Sequence, residues 1–144
     1  MRMRTATPLL FAAAAALGCA GAGTPEETLE TFHGHMASRD FRGAAAVVYC
    51  TEWEGLPAAE VAAARRAYAS VLAAEFDAGG LDYGRAEITD RARAGPNEVR
   101  LAVAYRLRAR PSGPPQIEEV TVRKIEARWY VVAETAASSD PLEG

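Results

Sequence analysis

Asp90, Lys124 and Tyr105 are the residues whose types and spacing could do chemistry in this chain. Glu98–Arg110 alternates strictly, with Val99, Leu101, Val103, Tyr105 and Leu107 on one face and Arg100, Arg106 and Arg108 on the other. A period of two marks a strand with one face on a core and one in water. A four-residue turn at Gly95–Glu98 sets Ile88 opposite Tyr105 and Asp90 opposite Val103. A loop holding Pro111–Pro115 sets Tyr105 opposite Val122 and Val103 opposite Lys124. Asp90 and Lys124 then flank Val103 on the inner face, about 10 Å apart across two strand spacings, with Tyr105 on the next rung. A carboxylate short of water is a stronger base, and a buried phenol can steady a developing oxyanion. The lysine works against that chemistry, because a nearby cation lowers a carboxyl pKa and weakens the base. Asp90 is therefore expected to be a rim residue, the only acid that parity places in the central inner rows, and Tyr105 a buried aromatic.

The remaining candidates are lining groups rather than reagents. His33 falls in an apolar helical stripe, and His35, two residues on, points to another face, so the two cannot share a metal from one regular helix. His33, Trp53, Tyr68, Tyr105, Lys124 and Trp129 are the candidates for lining a pocket. No phosphate loop, zinc spacing or nucleophile elbow is present, so no metal or other cofactor is expected. The arginines at 85, 91, 93, 100, 106 and 108 form an outer sheet face, with Glu87 and Glu119 among them.

The elements that position these residues follow from local pattern. Thr24-Pro25-Glu26-Glu27 is a helix start, with a capping threonine, proline at the first helical position and an acid where a capping box needs one. Leu29, Phe32, His33 and Met36 follow as one stripe. After Ser38-Arg39-Asp40, Phe41–Cys50 reads as a shorter helix, and Ala58–Asp77 as the longest, ended by Ala78-Gly79-Gly80. Asp82–Ala94, Glu98–Arg110, Ile117–Ile125 and Trp129–Glu134 then read as an antiparallel meander. The expected fold class is α+β, with N-terminal helices packed on a curved antiparallel sheet. Cys50, directly after Val47-Val48-Tyr49, is expected to be buried and inert.

The first residues carry an address. Met1-Arg2-Met3-Arg4 is a basic start, and the apolar run Pro8–Leu17 is far shorter than the ~20 residues that span a bilayer. Residues 1–18 read as a signal peptide. The junction Ala16-Leu17-Gly18-Cys19 resembles the bacterial lipoprotein signal, which makes Cys19 an acylated mature N-terminus; cleavage after Ala20-Gly21-Ala22 is the alternative. Residues 19–23 are then the lipidated cysteine and a spacer, 24–135 the domain, and 136–144 a loose tail. The formal charge of −3 grows more negative when Arg2 and Arg4 are removed, which speaks against nucleic acid as a partner.

Thr24–Phe32 with Arg39–Ala45, and the closing stretch Val122–Val132, resemble small bacterial lipoproteins of the nuclear transport factor 2-like superfamily. The resemblance implies a cone of helices in a strongly curved sheet, often with a pocket at its wide end, and a tight turn before an inward Trp129. In that superfamily the fold serves isomerases, dehydratases, ligand-binding domains and interaction modules. The expected function is a non-catalytic envelope lipoprotein domain, at the outer membrane facing the periplasm or, alternatively, soluble in the periplasm, that binds a partner protein or a small apolar ligand. The alternatives are a small lyase or isomerase working through Asp90 and Tyr105, and a structural spacer at the membrane surface.

Overall fold

The computed structural model describes residues 23–134. The signal segment, Cys19 and the tail 136–144 lie outside the described residues.

Helix α1, Pro25–Ala37, starts on a complete capping box. Glu27 N–H donates to Thr24 Oγ1 at 3.1 Å, and Thr24 N–H donates to Glu27 Oε1 at 3.2 Å. Two of the four orphan amides of a helix start are thereby satisfied. The stripe Leu29, Phe32, His33 and Met36 is buried as its spacing requires. Arg39, at φ 63°, turns the chain into helix α2, Phe41–Ala46, where Asp40 accepts from Gly43 N–H. Gly43 is needed for space: a Cβ there would lie 2.5 Å from both Asp40 Oδ2 and His35 Nδ1, which form a 3.0 Å ion pair.

The expected helix over Phe41–Cys50 stops at Ala46. Val48–Cys50 is instead strand β1, paired in parallel with the last strand, Val48 to Val131 and Cys50 to Ala133. A β-branched and aromatic run gains a ladder there that a helix end could not give it. A 3-10 turn, Thr51–Trp53, leads to helix α3, Ala58–Gly79, closed by Gly80 at φ 69°. Strands β2 (Leu81–Gly95), β3 (Glu98–Leu107), β4 (Gln116–Ile125) and β5 (Arg128–Ala133) complete a five-stranded mixed sheet of order β1-β5-β4-β3-β2. The α+β class and the meander of β2 to β5 are as expected; the parallel β1 is the addition.

The core lies between helices and sheet. Leu29 and Met36 of α1, Ala44 and Ala45 of α2, and Leu72 and Phe76 of α3 meet Val99, Leu101, Val103, Val122 and Val131. On the sheet's β1 edge, the Arg65 Nε–H of α3 donates to Val48 O at 3.1 Å. The β4–β5 connection is a two-residue turn, Glu126-Ala127, with φ of 52° and 71°. Both residues take the left-handed conformation of a type I′ hairpin turn.

Two departures in register matter for the site. Ile88 pairs with Val103, but Asp90 pairs with Ala102, because the ladder shifts between them. A bulge inserts a residue and so changes which face the following side chains occupy. On β3–β4, Tyr105 pairs with Gln116 and Val99 with Val122. The connecting loop is taken up by compact turns, with Arg110 N–H bonded to Leu107 O and Gly113 N–H to Arg110 O. The slide covers an even number of residues, so faces are kept while every partner changes.

Candidate functional site

The site is built where β2 begins and β3 ends. Parity on β3 aims Val103 and Tyr105 at the helices, and parity on β4 aims Glu118 and Val120 the same way. From β2 come Leu81 and Tyr83, and from the inner face of α3 come Tyr68, Leu72 and Glu75. Tyr105, Glu118, Val120, Leu81, Tyr83, Tyr68, Leu72 and Glu75, with Leu29 and Phe32 of α1, line a cleft of about 630 Å³, within the range of small-molecule sites. The lining continues to Glu98, Arg100, Thr121 and Arg123, which belong to the opposite face of the sheet. Only part of the volume therefore lies between sheet and helices.

The floor is aromatic. Tyr83 stacks on Phe76 at 6.0 Å and meets Tyr105 edge-on at 5.7 Å and Phe32 edge-on at 6.3 Å. Behind Tyr105, its hydroxyl and His33 Nε2 are hydrogen-bonded at 2.7 Å. His33 is 6 % exposed and Tyr105 4 %. Burial pushes the imidazole down to about 4 and pushes the Tyr105 hydroxyl up, helped by Tyr83 and Glu118. At neutral pH both partners are uncharged, and each satisfies the other in a place where an unmatched polar group would be costly. Tyr83 is pushed up to about 12 by burial and then by Glu75 and Glu118, with Arg108 pulling the other way.

The mouth is acidic. Glu75 is exposed there, yet packing around its carboxyl, and after it the neighbouring Glu118, raises its pKa. Neither glutamate is in an ion pair among the described residues. Glu118 Oε2 accepts a 2.6 Å bond from Gln116 Nε2. Arg108 borders the site but is spent elsewhere: its terminal nitrogens donate to Leu81 O and Phe76 O, and it lies over the Phe76 ring at 4.4 Å.

The residues singled out from the sequence are distributed as follows. Tyr68 and Tyr105 line the cleft, and His33 sits behind it. Asp90 is exposed on the sheet's outer face, opposite Ala102, with its Oδ1 accepting from Arg91 N–H. The same bulge brings Arg91, read as an outer arginine, opposite Leu101, where it pairs with Glu26 of α1 at 2.8 Å. Lys124 lies past the end of β3, its N–H bonded to Asn97 O and its ammonium over the Trp129 ring at 5.8 Å. Asp90, Lys124 and Tyr105 are thus not brought together. Trp53 is buried beneath α3, edge-on to Tyr68 at 6.1 Å, and lines a separate groove. Glu118, Glu75 and Tyr83 are the cleft residues that sequence reasoning missed. Glu118 was readable, since it shares the parity of Val120 and Val122; it is the inner-row acid, in place of Asp90. Glu75 lies one turn after Leu72 and next to Phe76 on the helix, but nothing local says that a cleft opens beside it.

Among solved structures, the chain is similar to a crystal structure at 2.00 Å of a Campylobacter jejuni protein described as a presumed NTF2-like transpeptidase. The two share 15 % identity and superpose with a TM-score of 0.55, over 77 % of this chain and 99 % of the other. The fold is nuclear transport factor 2-like. At this identity the likeness carries the fold and no activity. No protein-family model matches the chain, and no curated protein does. Within this nuclear transport factor 2-like frame no described helix is long and apolar enough to cross a membrane, and no group of metal-binding side chains occurs among the described residues.

Proposed function

We propose that this domain binds a small, largely apolar ligand in the cleft between α3 and the inner face of the sheet, without catalysis. One observation supports the reading: Leu29, Phe32, Leu72, Tyr83 and Tyr105 converge on a cleft with space for a ligand. At its base His33 and Tyr105 are uncharged and paired with each other, which suits an apolar guest. The test is a fluorescence titration with 1-aminoanthracene, an uncharged apolar probe. Saturable binding that is lost in Val120→Trp, which fills the cleft from β4, supports the reading. Equal binding by both proteins rejects it.

A second reading, a small lyase or isomerase, is favoured by one feature, the raised pKa of Glu75 beside the Tyr83 hydroxyl. A carboxylate poised toward neutrality is a better general base, and this role passes from Asp90 to Glu75. Turnover of any carbonyl acid lost in Glu75→Gln with ligand binding retained would select it.

We further propose the envelope as the place of action, with the domain tethered to a membrane through an acylated Cys19 and acting on envelope components or a partner protein there. Mass spectrometry of membrane-fraction protein should give a diacylglycerol-modified Cys19 peptide, absent in Cys19→Ser. An unmodified N-terminus at Gly23 would refute the anchor.

A further inference from the structure

A second site lies away from the cleft, toward the N-terminal end of α3, and shares no lining residue with it. Arg42 of α2 and Arg65 and Arg66 of α3 border a depression of about 210 Å³ floored by Ala46 and Ala62. Among the described residues none of the three is in an ion pair. Three guanidinium groups brought together without a carboxylate, in a chain of net negative charge, repel one another unless an anion joins them.

The depression opens into a groove of about 420 Å³ through Ala62 and Arg65, which line both. Tyr49, Trp53, Leu56, Val61 and Tyr130 give the groove aromatic and aliphatic walls, with Leu56 40 % exposed. Arg65 stands at the junction. Its Nε–H is committed to Val48 O at 3.1 Å, and its guanidinium lies 5.2 Å from the Trp53 ring and 5.1 Å from the Tyr130 ring. Those contacts hold the side chain in one place, and no protein partner is recorded for its two terminal nitrogens among the described residues. A fork held in this way suits the paired oxygens of a phosphate or carboxylate. Glu126 lines the groove at the hairpin end and forms no ion pair with Arg65, so the far end does not favour an anion.

We propose that this composite site binds an anionic amphiphile: a single phosphate or carboxylate head on Arg42, Arg65 and Arg66, with the apolar body along Tyr49, Trp53, Leu56 and Tyr130. The same chemistry is presented by a free molecule and by an anionic lipid headgroup with its proximal chain.

The experiment uses the full chain and octyl phosphate below its micelle concentration, followed by calorimetry and by tryptophan emission. One-to-one binding is expected, weakened at least tenfold in Arg42→Gln/Arg66→Gln and several-fold in Leu56→Ser. Octyltrimethylammonium should not compete, and inorganic phosphate should bind far more weakly than octyl phosphate. Flotation with phosphatidylglycerol vesicles, compared with phosphatidylcholine vesicles, separates the two sources. Vesicle binding that the arginine pair abolishes, without binding of the monomer, assigns the head to a lipid surface. Binding of neither, or binding unchanged in the arginine variant, overturns the proposal. All three exposed positions can be changed without touching the core, and an unfolding curve matching the parent confirms that each variant is folded.

Discussion

Replacing the buried pair His33 and Tyr105 with leucine and phenylalanine should change how stability depends on pH. His33 titrates at about 4 in the folded protein because burial disfavours its charge. In the unfolded chain it titrates near its ordinary value of 6.5. Between those values the unfolded state holds a proton that the folded state refuses, so stability falls as the pH falls. The contribution is fully present above pH 6.5, declines toward pH 4, and is constant below that. At about 1.4 kcal/mol per pKa unit, moving from pH 7 to pH 4.5 costs roughly 2.5 kcal/mol through His33 alone. Carboxylates add their own dependence, which both proteins share. Urea unfolding of the parent and of His33→Leu/Tyr105→Phe, at half-unit steps between pH 7 and 4.5, isolates the imidazole. The double variant should lose less stability on acidification by about 2–3 kcal/mol. At pH 7 it should lie within about 1–2 kcal/mol of the parent, since both ends of one buried bond go together. Tyr105→Phe alone leaves Nε2 unmatched in the core and should cost more than that bond is worth, roughly 1–3 kcal/mol. Parallel pH profiles for parent and double variant would show that His33 takes up its proton in the folded state, and would refute a buried, uncharged pair.

Three further outcomes are expected. Cys50 is buried at the inner end of β1 with its thiol pushed up to about 11, mainly by burial, so iodoacetamide at pH 8 should modify it only in denaturant; labelling at native rates comparable to a free thiol would contradict the packing. Ala127→Gly relieves a side chain held at φ 71° and should stabilise by about 0.5–1 kcal/mol in chemical unfolding; a loss of stability would mean that the turn is of another type. Asp90→Asn, on the exposed outer face, should shift the unfolding midpoint by no more than about 0.5 kcal/mol equivalent and leave probe binding in the cleft unchanged, whereas Glu75→Gln should alter the pH dependence of that binding.

The parts of this domain that were legible in its sequence are those fixed by neighbours along the chain. The capping box at Thr24 and Glu27, the stripe from Leu29 to Met36 and the alternation of β3 each state their own geometry within a few residues. What was not legible depends on partners far away. Nothing in Val48-Tyr49-Cys50 announces a strand until Val131–Ala133 arrives beside it. The bulge before Asp90 is a property of two strands, and one inserted residue was enough to move a presumed inner acid to the outer face and bring Arg91 to Glu26. The β3–β4 register was set by how tightly residues 108–115 turn, and the six-residue slide exchanged Lys124 for Glu118 opposite Val103. A pocket's polar groups are therefore the least secure reading of a β-rich sequence, because each is the product of register and of face at once.

The parallel pairing of β1 with β5 has a consequence for how the chain reaches this shape. Residues 48–50 find their partners only at 131–133, almost the whole domain later. Closing so long a loop is paid before the contact rewards it, which places the domain among slower-folding topologies. Until β5 exists, β1 has no ladder, Arg65 has no strand edge to hold in position, and the apolar faces of Val48, Leu72 and Val122 have nothing to close over them. A chain emerging N-terminus first from a ribosome must therefore wait for Arg128–Ala133 before its sheet can close. Premature stops even a few codons before Arg128 should leave a protein that holds helices but never a finished sheet.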